Sequence, residues 1–139
     1  MILSEIIPNL WISNTKIDNN LKNLYNIHNI INSDNDLKSL NLHQKYNHEL
    51  RDRILKYENV KKYEYFKECV KYIENNINTN GILIYSNSLI SSYCIVIIFL
   101  ITKGKINFNK SLNIIKSKID KIIIIPESYK KIINKFEID

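Results

Sequence analysis

The stretch "GILIYSNSLISSY", residues 81–93, decides how this chain is read. "ILIY" (82–85) reads as a short buried strand, "SNSLIS" (86–91) as a polar turn, and Ser92 onward as the start of a helix. Many α/β enzymes place a nucleophile at such a strand–turn–helix junction. This one carries no Cys, Arg or His, and its only glycine, Gly81, precedes the strand.

The flanking elements set the junction in an α/β or α+β pattern. Downstream, Ser92 to about Thr102 is so apolar that the helix it predicts belongs deep in a core. The spacing of Phe108, Leu112, Ile115 and Ile119 predicts a second helix, and that of Tyr129, Ile132, Ile133 and Phe136, after Pro126, a third. Upstream, Tyr63, Phe66, Val70, Ile73 and Ile77 recur every three or four residues, and "NTNG" (78–81) ends that helix. "RDRILKY" (51–57) and "IHNIIN" (27–32) read as strands, and 33–50 as a polar loop. Ile17, Leu21 and Leu24 predict a helix within 14–26. "EIIPNLWISN" (5–14) reads as an extended run with Pro8 at an edge or bend.

The 139 residues fit one domain spanning 1–139. Ile makes up about a fifth of the chain and Asn about a seventh, unlike average usage. Arg51 and Arg53 are the only arginines. Such usage points to an AT-rich coding genome, as in some viruses and protists, and not to a chemistry. The net charge of +6 is spread over Lys-rich segments that also carry Glu or Asp, the pattern of solvated helix faces. No nucleic-acid motif accompanies it, so nucleic acid is not the expected partner. Cys69 and Cys94 lie among apolar residues at helical spacing and read as buried thiols, not a disulfide framework. The longest apolar run is far short of the ~20 residues of a bilayer span. The N-terminus lacks the layout of a signal peptide. The expectation is a cytoplasmic protein without membrane contact; for a viral protein that extends to the host cytoplasm or the virion.

The order of landmarks resembles the dual-specificity protein phosphatases, the compact poxvirus H1-like kind. "EIIPNLWISN" resembles that family's opening strand, "IHNIINSD" its next strand, and "YFKECVKYIENNI" (65–77) a Tyr-Phe-x-x-Cys helix. "GILIYS" stands where the strand runs into the catalytic loop. "IVIIFLITKGKINFNKSLNIIKSK" (95–118) follows the family's helix pair, and "PESYKKIINKFE" (126–137) its closing helix. The resemblance covers nearly the whole chain, 33–50 excepted. It implies a central mixed, mostly parallel sheet flanked by helices. No N-terminal dimer-forming helix is expected.

Placed on that pattern, the site is changed almost throughout. The family's His–Cys pair falls on Tyr85 and Ser86, followed by Asn87 and Ser88. Its Gly falls on Leu89, followed by Ile90. Its Ser-Arg-Ser falls on Ser91, Ser92 and Tyr93. The chemistry needs a thiolate of depressed pKa, and Ser86 offers an alcohol. It needs a bidentate guanidinium, and Ser92 cannot supply one. It needs a backbone free to curl around an anion, and Leu89 in a left-handed conformation would cost about 1–2 kcal/mol. The general-acid Asp falls on Lys56 and Tyr57, with Glu58 adjacent but off register. One check needs no alignment: the residue six after Cys69 is Asn75, six after Cys94 is Leu100, and no Arg follows Arg53. The Cys-five-residues-Arg motif is absent in every register.

The remaining candidates carry less. His28, His43 and His48 have no metal-ligand spacing, and Asp36, Glu49, Asp52 and Glu58 form no obvious pair. Neither a metal nor another cofactor is expected. Ser86 has no glycine-flanked elbow and no nearby His for a hydrolase triad. The nine tyrosines fit amphipathic packing, with a few available as partner hot spots. The resulting expectation is a catalytically inactive pseudophosphatase. It would bind a protein partner, phosphorylated or not, as a scaffold or a competitor for phosphosites. The alternatives are a structural block that self-associates, for example as a homodimer, and a binder of RNA 5′ ends or polyphosphate. An active phosphatase is the least favoured reading.

Overall fold

The computed structural model describes residues 2–33, 60–86, 88–120 and 124–138. Among the described residues four strands form one mixed sheet: β1 (Leu3–Ile7), β2 (Leu10–Ser13), β3 (Ile27–Asn32) and β4 (Gly81–Tyr85), in the order β1-β2-β4-β3. β1 and β2 are antiparallel, while β2 and β3 each flank β4 in parallel. The helices are α1 (Asn19–Leu24), α2 (Val60–Asn76), α3 (Ile90–Thr102), α4 (Phe108–Lys118) and α5 (Glu127–Ile138). This is the expected α/β class, a mixed and mostly parallel sheet flanked by helices. The expected loop over 33–50 and strand over 51–57 fall outside the described residues, apart from Ser33.

Two N-terminal expectations are corrected. The run 5–14 breaks at Pro8, as expected, but it folds back there as a hairpin turning at Pro8–Asn9 and does not continue as one extended segment. Asn9 takes a left-handed φ of 71°, which Asn tolerates better than most residues. Its Nδ2 donates to the Ile77 carbonyl at 2.8 Å, tying the turn to the end of α2. The helix expected within 14–26 is only six residues long. Asp18 caps it, accepting from the Leu21 N–H at 2.9 Å, and the Asn-rich flanks are poor helix formers. Leu24, counted in its apolar face, is 70% exposed.

Strand alternation divides the core. Ile82 and Ile84 of β4 face α2, α3 and α5 in the main cluster. Leu83 faces the other way, into a small cluster with Ile17 and Ile27. Every α3 residue from Ser91 to Ile101 is buried, so α3 is the central helix of the main layer. The outer helices bury one stripe each. α4 starts at Asn107, which accepts from the Lys110 N–H at 2.9 Å. α5 follows Pro126, whose carbonyl takes the Tyr129 and Lys130 N–H groups, both at 3.0 Å. Tyr63 stacks on Phe136 with ring centroids 4.5 Å apart, and Lys62 Nζ lies 4.5 Å above the Tyr129 ring. These contacts pin α2 to α5.

Gly81 shows why a glycine precedes β4. A Cβ there would lie 2.8 Å from the Asn26 carbonyl oxygen, where the chain enters β3. The Gly81 N–H donates to that same oxygen at 2.8 Å.

Cys69 and Cys94 are free and buried. Burial pushes both thiol pKa values up, Cys94 to about 12, with Lys62 partly opposing the rise at Cys94. In the unfolded chain a thiol ionises near 8.5. Above that pH the unfolded state holds fewer protons than the folded one, so stability falls as pH rises. Denaturant titrations at pH 7.5 and 10 should therefore show a lower midpoint at pH 10, and Cys69→Ala/Cys94→Ala should shrink that difference. A midpoint that is unchanged or rises with pH would contradict thiol burial.

Candidate functional site: a closed strand–turn–helix loop

The turn after β4 hangs from the carboxyl ends of two parallel strands. The Ser86 N–H donates to the Ser13 carbonyl at 3.2 Å, and the Ser33 N–H donates to the Tyr85 carbonyl at 2.7 Å. The Leu89 N–H then closes back on the Ser86 carbonyl at 3.3 Å, and the Tyr93 N–H bonds the Leu89 carbonyl at 2.9 Å as α3 begins. In open parallel sheets this carboxyl edge is where ligands bind. The frame suits a site; its contents decide the chemistry.

Those contents are hydroxyls turned toward one another. Ser86 Oγ and Ser92 Oγ are 2.7 Å apart, and both residues are buried. Ser33 and Ser91 are joined by a second side-chain hydrogen bond across the edge of the sheet. Ser86 is thus bonded to another alcohol, which is no base and cannot generate an alkoxide. Tyr85 is buried at the end of β4, Ser88 is exposed and Ile90 half-buried. Tyr93 is buried, and its hydroxyl has no hydrogen-bond partner among the described residues. Desolvation raises its pKa, which favours the neutral phenol.

Leu89 precedes α3 at φ 68°, ψ −16°, a left-handed conformation suited to glycine, with its side chain fully buried. That handedness costs an L-residue about 1–2 kcal/mol. Full burial of a Leu side chain returns about 1.5–3 kcal/mol, enough to offset it. The loop retains a bend that glycine would adopt freely while a leucine fills the space beneath it. The leucine side chain has no acceptor atom, so α3 begins without a side-chain cap.

Asn87, Lys56, Tyr57 and Glu58 lie outside the described residues, as do His43 and His48. His28 is exposed, with Nε2 2.8 Å from Asn26 Oδ1. Among the described residues no three His, Cys, Asp or Glu side chains stand together as a metal site. Also among them, no helix is long and apolar enough to cross a membrane. Sequence reading missed Ser33. Its position just after β3 was visible, but its pairing with Ser91, 58 residues away, depends on the β3–β4 register.

The fold is similar to that of a phosphatase domain. A solved structure of similar fold is a leucine-rich repeat and phosphatase domain containing protein from Entamoeba histolytica. It is 18% identical, superimposes with a TM-score of 0.72, and the match covers 97% of this chain and 90% of that one. No known family profile matches this chain, and no curated protein does.

Proposed function

We propose that this protein is a phosphatase-fold module without phosphatase activity, which acts by binding another protein. The observation that carries this reading is the Ser86–Ser92 hydrogen bond between two buried hydroxyls. The resemblance puts a thiolate and a guanidinium at those two positions. Phosphoryl transfer through this fold needs a nucleophile with a low pKa and a bidentate cation to bind the phosphoryl oxygens. The loop supplies neither. At the position where the resemblance puts a glycine, Leu89 is fully buried in the main core cluster. The reading is supported by side-chain chemistry, while the fold itself carries no function. What remains is a stable block with solvated helical faces and loop edges available for recognition.

The direct test is turnover of a generic aryl phosphate by the purified chain across pH 5–8, with reductant present. The expected rate equals the buffer blank. Hydrolysis above blank that Ser86→Ala abolishes would overturn the reading. In parallel, binding to candidate phosphoproteins and their dephosphorylated forms separates competition for phosphosites from scaffolding: the first requires preference for the phosphorylated form, the second does not.

A further inference from the structure

A second feature lies on the opposite face of the sheet. β3 and β4 pair Ile30 with Leu83 and Asn32 with Tyr85, so these four side chains share the face turned away from α2 and α3. There they floor a cavity of about 80 Å³, walled by the 14–18 turn and α1 and rimmed by Lys16 and Lys22. The floor is buried at Leu83, Asn32 and Tyr85, while Lys16 is exposed and Lys22 half-buried.

Charge and size define what this cavity accepts. No acidic residue is among the described residues that line it. Neither lysine has an ion-pair partner among the described residues. Asp18, the carboxylate closest in sequence, turns its Oδ1 to the Leu21 N–H at 2.9 Å and caps α1. Two lysines thus border an apolar floor that also holds an amide and a phenol. The volume is far below the ~300–1,000 Å³ of pockets that enclose whole small-molecule ligands. It suits one compact group, and the lysines make that group an anion.

We propose that this cavity binds a phosphate-sized oxyanion, with Lys16 and Lys22 as the charge partners above its apolar floor. Point charges from lysine suit a tetrahedral anion that presents oxygens in several directions. The site is separate from the loop at 86–92 and lies on the other face of the sheet, so it stands or falls independently of the inactive-phosphatase reading. The oxyanion is either free or the phosphoryl group of a phosphorylated side chain, and the same two lysines serve both.

The test is a titration of the full ¹⁵N-labelled chain, first with inorganic phosphate and then with a phosphotyrosine peptide and its unphosphorylated counterpart. Saturable amide shifts confined to Ile17, Lys22, Asn32 and Tyr85 are expected. Lys16→Gln/Lys22→Gln should weaken binding by about tenfold or more without changing the melting temperature, and Lys130→Gln on α5 should leave it unchanged. A free-anion site binds phosphate as tightly as the phosphopeptide, whereas a partner site prefers the phosphopeptide over both other ligands. Linear shifts spread over all surface lysines, shifts centred on Ser88–Tyr93, or a double variant that binds like the parent would each overturn the proposal.

Discussion

Leu89→Gly should unfold at a higher denaturant concentration than Leu89→Ala, the reverse of the usual order at a buried site. Both substitutions remove a fully buried side chain next to α3. That loss alone costs about 2–5 kcal/mol. At an ordinary buried position glycine then costs more than alanine, through backbone entropy. Here the backbone sits at φ 68°, so alanine keeps the left-handed strain of about 1–2 kcal/mol that glycine releases. The two variants should therefore differ by about 1 kcal/mol in favour of glycine, with both well below the parent. Urea unfolding monitored by tyrosine fluorescence measures this directly. Alanine ranking above glycine would mean that the loop does not hold this conformation in solution.

Ser92→Arg should be the most damaging single change in the loop, although it restores the residue type that the resemblance places there. Ser92 is fully buried and bonded to Ser86, a hydroxyl that offers no negative charge. A guanidinium forced into that space would be a buried charge without a partner, a situation that costs about 3–5 kcal/mol when it arises by breaking a buried pair. Ser92→Ala, by contrast, leaves only the Ser86 hydroxyl short of a partner, at about 1–3 kcal/mol. The expected order of midpoints is parent, then Ser92→Ala, then Ser92→Arg, and 50 mM phosphate should not restore the last. If Ser92→Arg proves as stable as the parent, or phosphate rescues it, the loop is an open cradle and the closed-site account fails.

Much of the architecture was legible because hydrophobic spacing reports directly on burial. The stretch from Ser92 to Thr102 was apolar on all sides, and α3 is buried from Ser91 to Ile101. The runs ending at Ile77, Ile119 and Phe136 carried one apolar stripe each and became α2, α4 and α5. The N-terminal segment was less legible. Pro8 signalled a bend, but the hairpin depends on Asn9 taking a left-handed φ and anchoring to Ile77, 68 residues away. A helix within 14–26 was legible but the short extent of α1 was not, because its boundaries come from the Asp18 cap and the Asn-rich flanks, while Leu24 matched the apolar period without being buried.

For the site, residue identity settled one matter. No cysteine is followed at the required distance by arginine, since Asn75 and Leu100 stand at those places, and no folding can supply an absent sulfur or guanidinium. What occupies the space instead was a matter for tertiary structure. The mutual bond of Ser86 and Ser92, the left-handed Leu89, the Ser33–Ser91 link and the lysine-rimmed cavity on the far face all arise where β2, β3 and β4 end side by side. Side-chain chemistry travels with the residue. Handedness, burial and the pairing of distant hydroxyls are set by neighbours that strand register brings together, and a linear chain does not specify them locally.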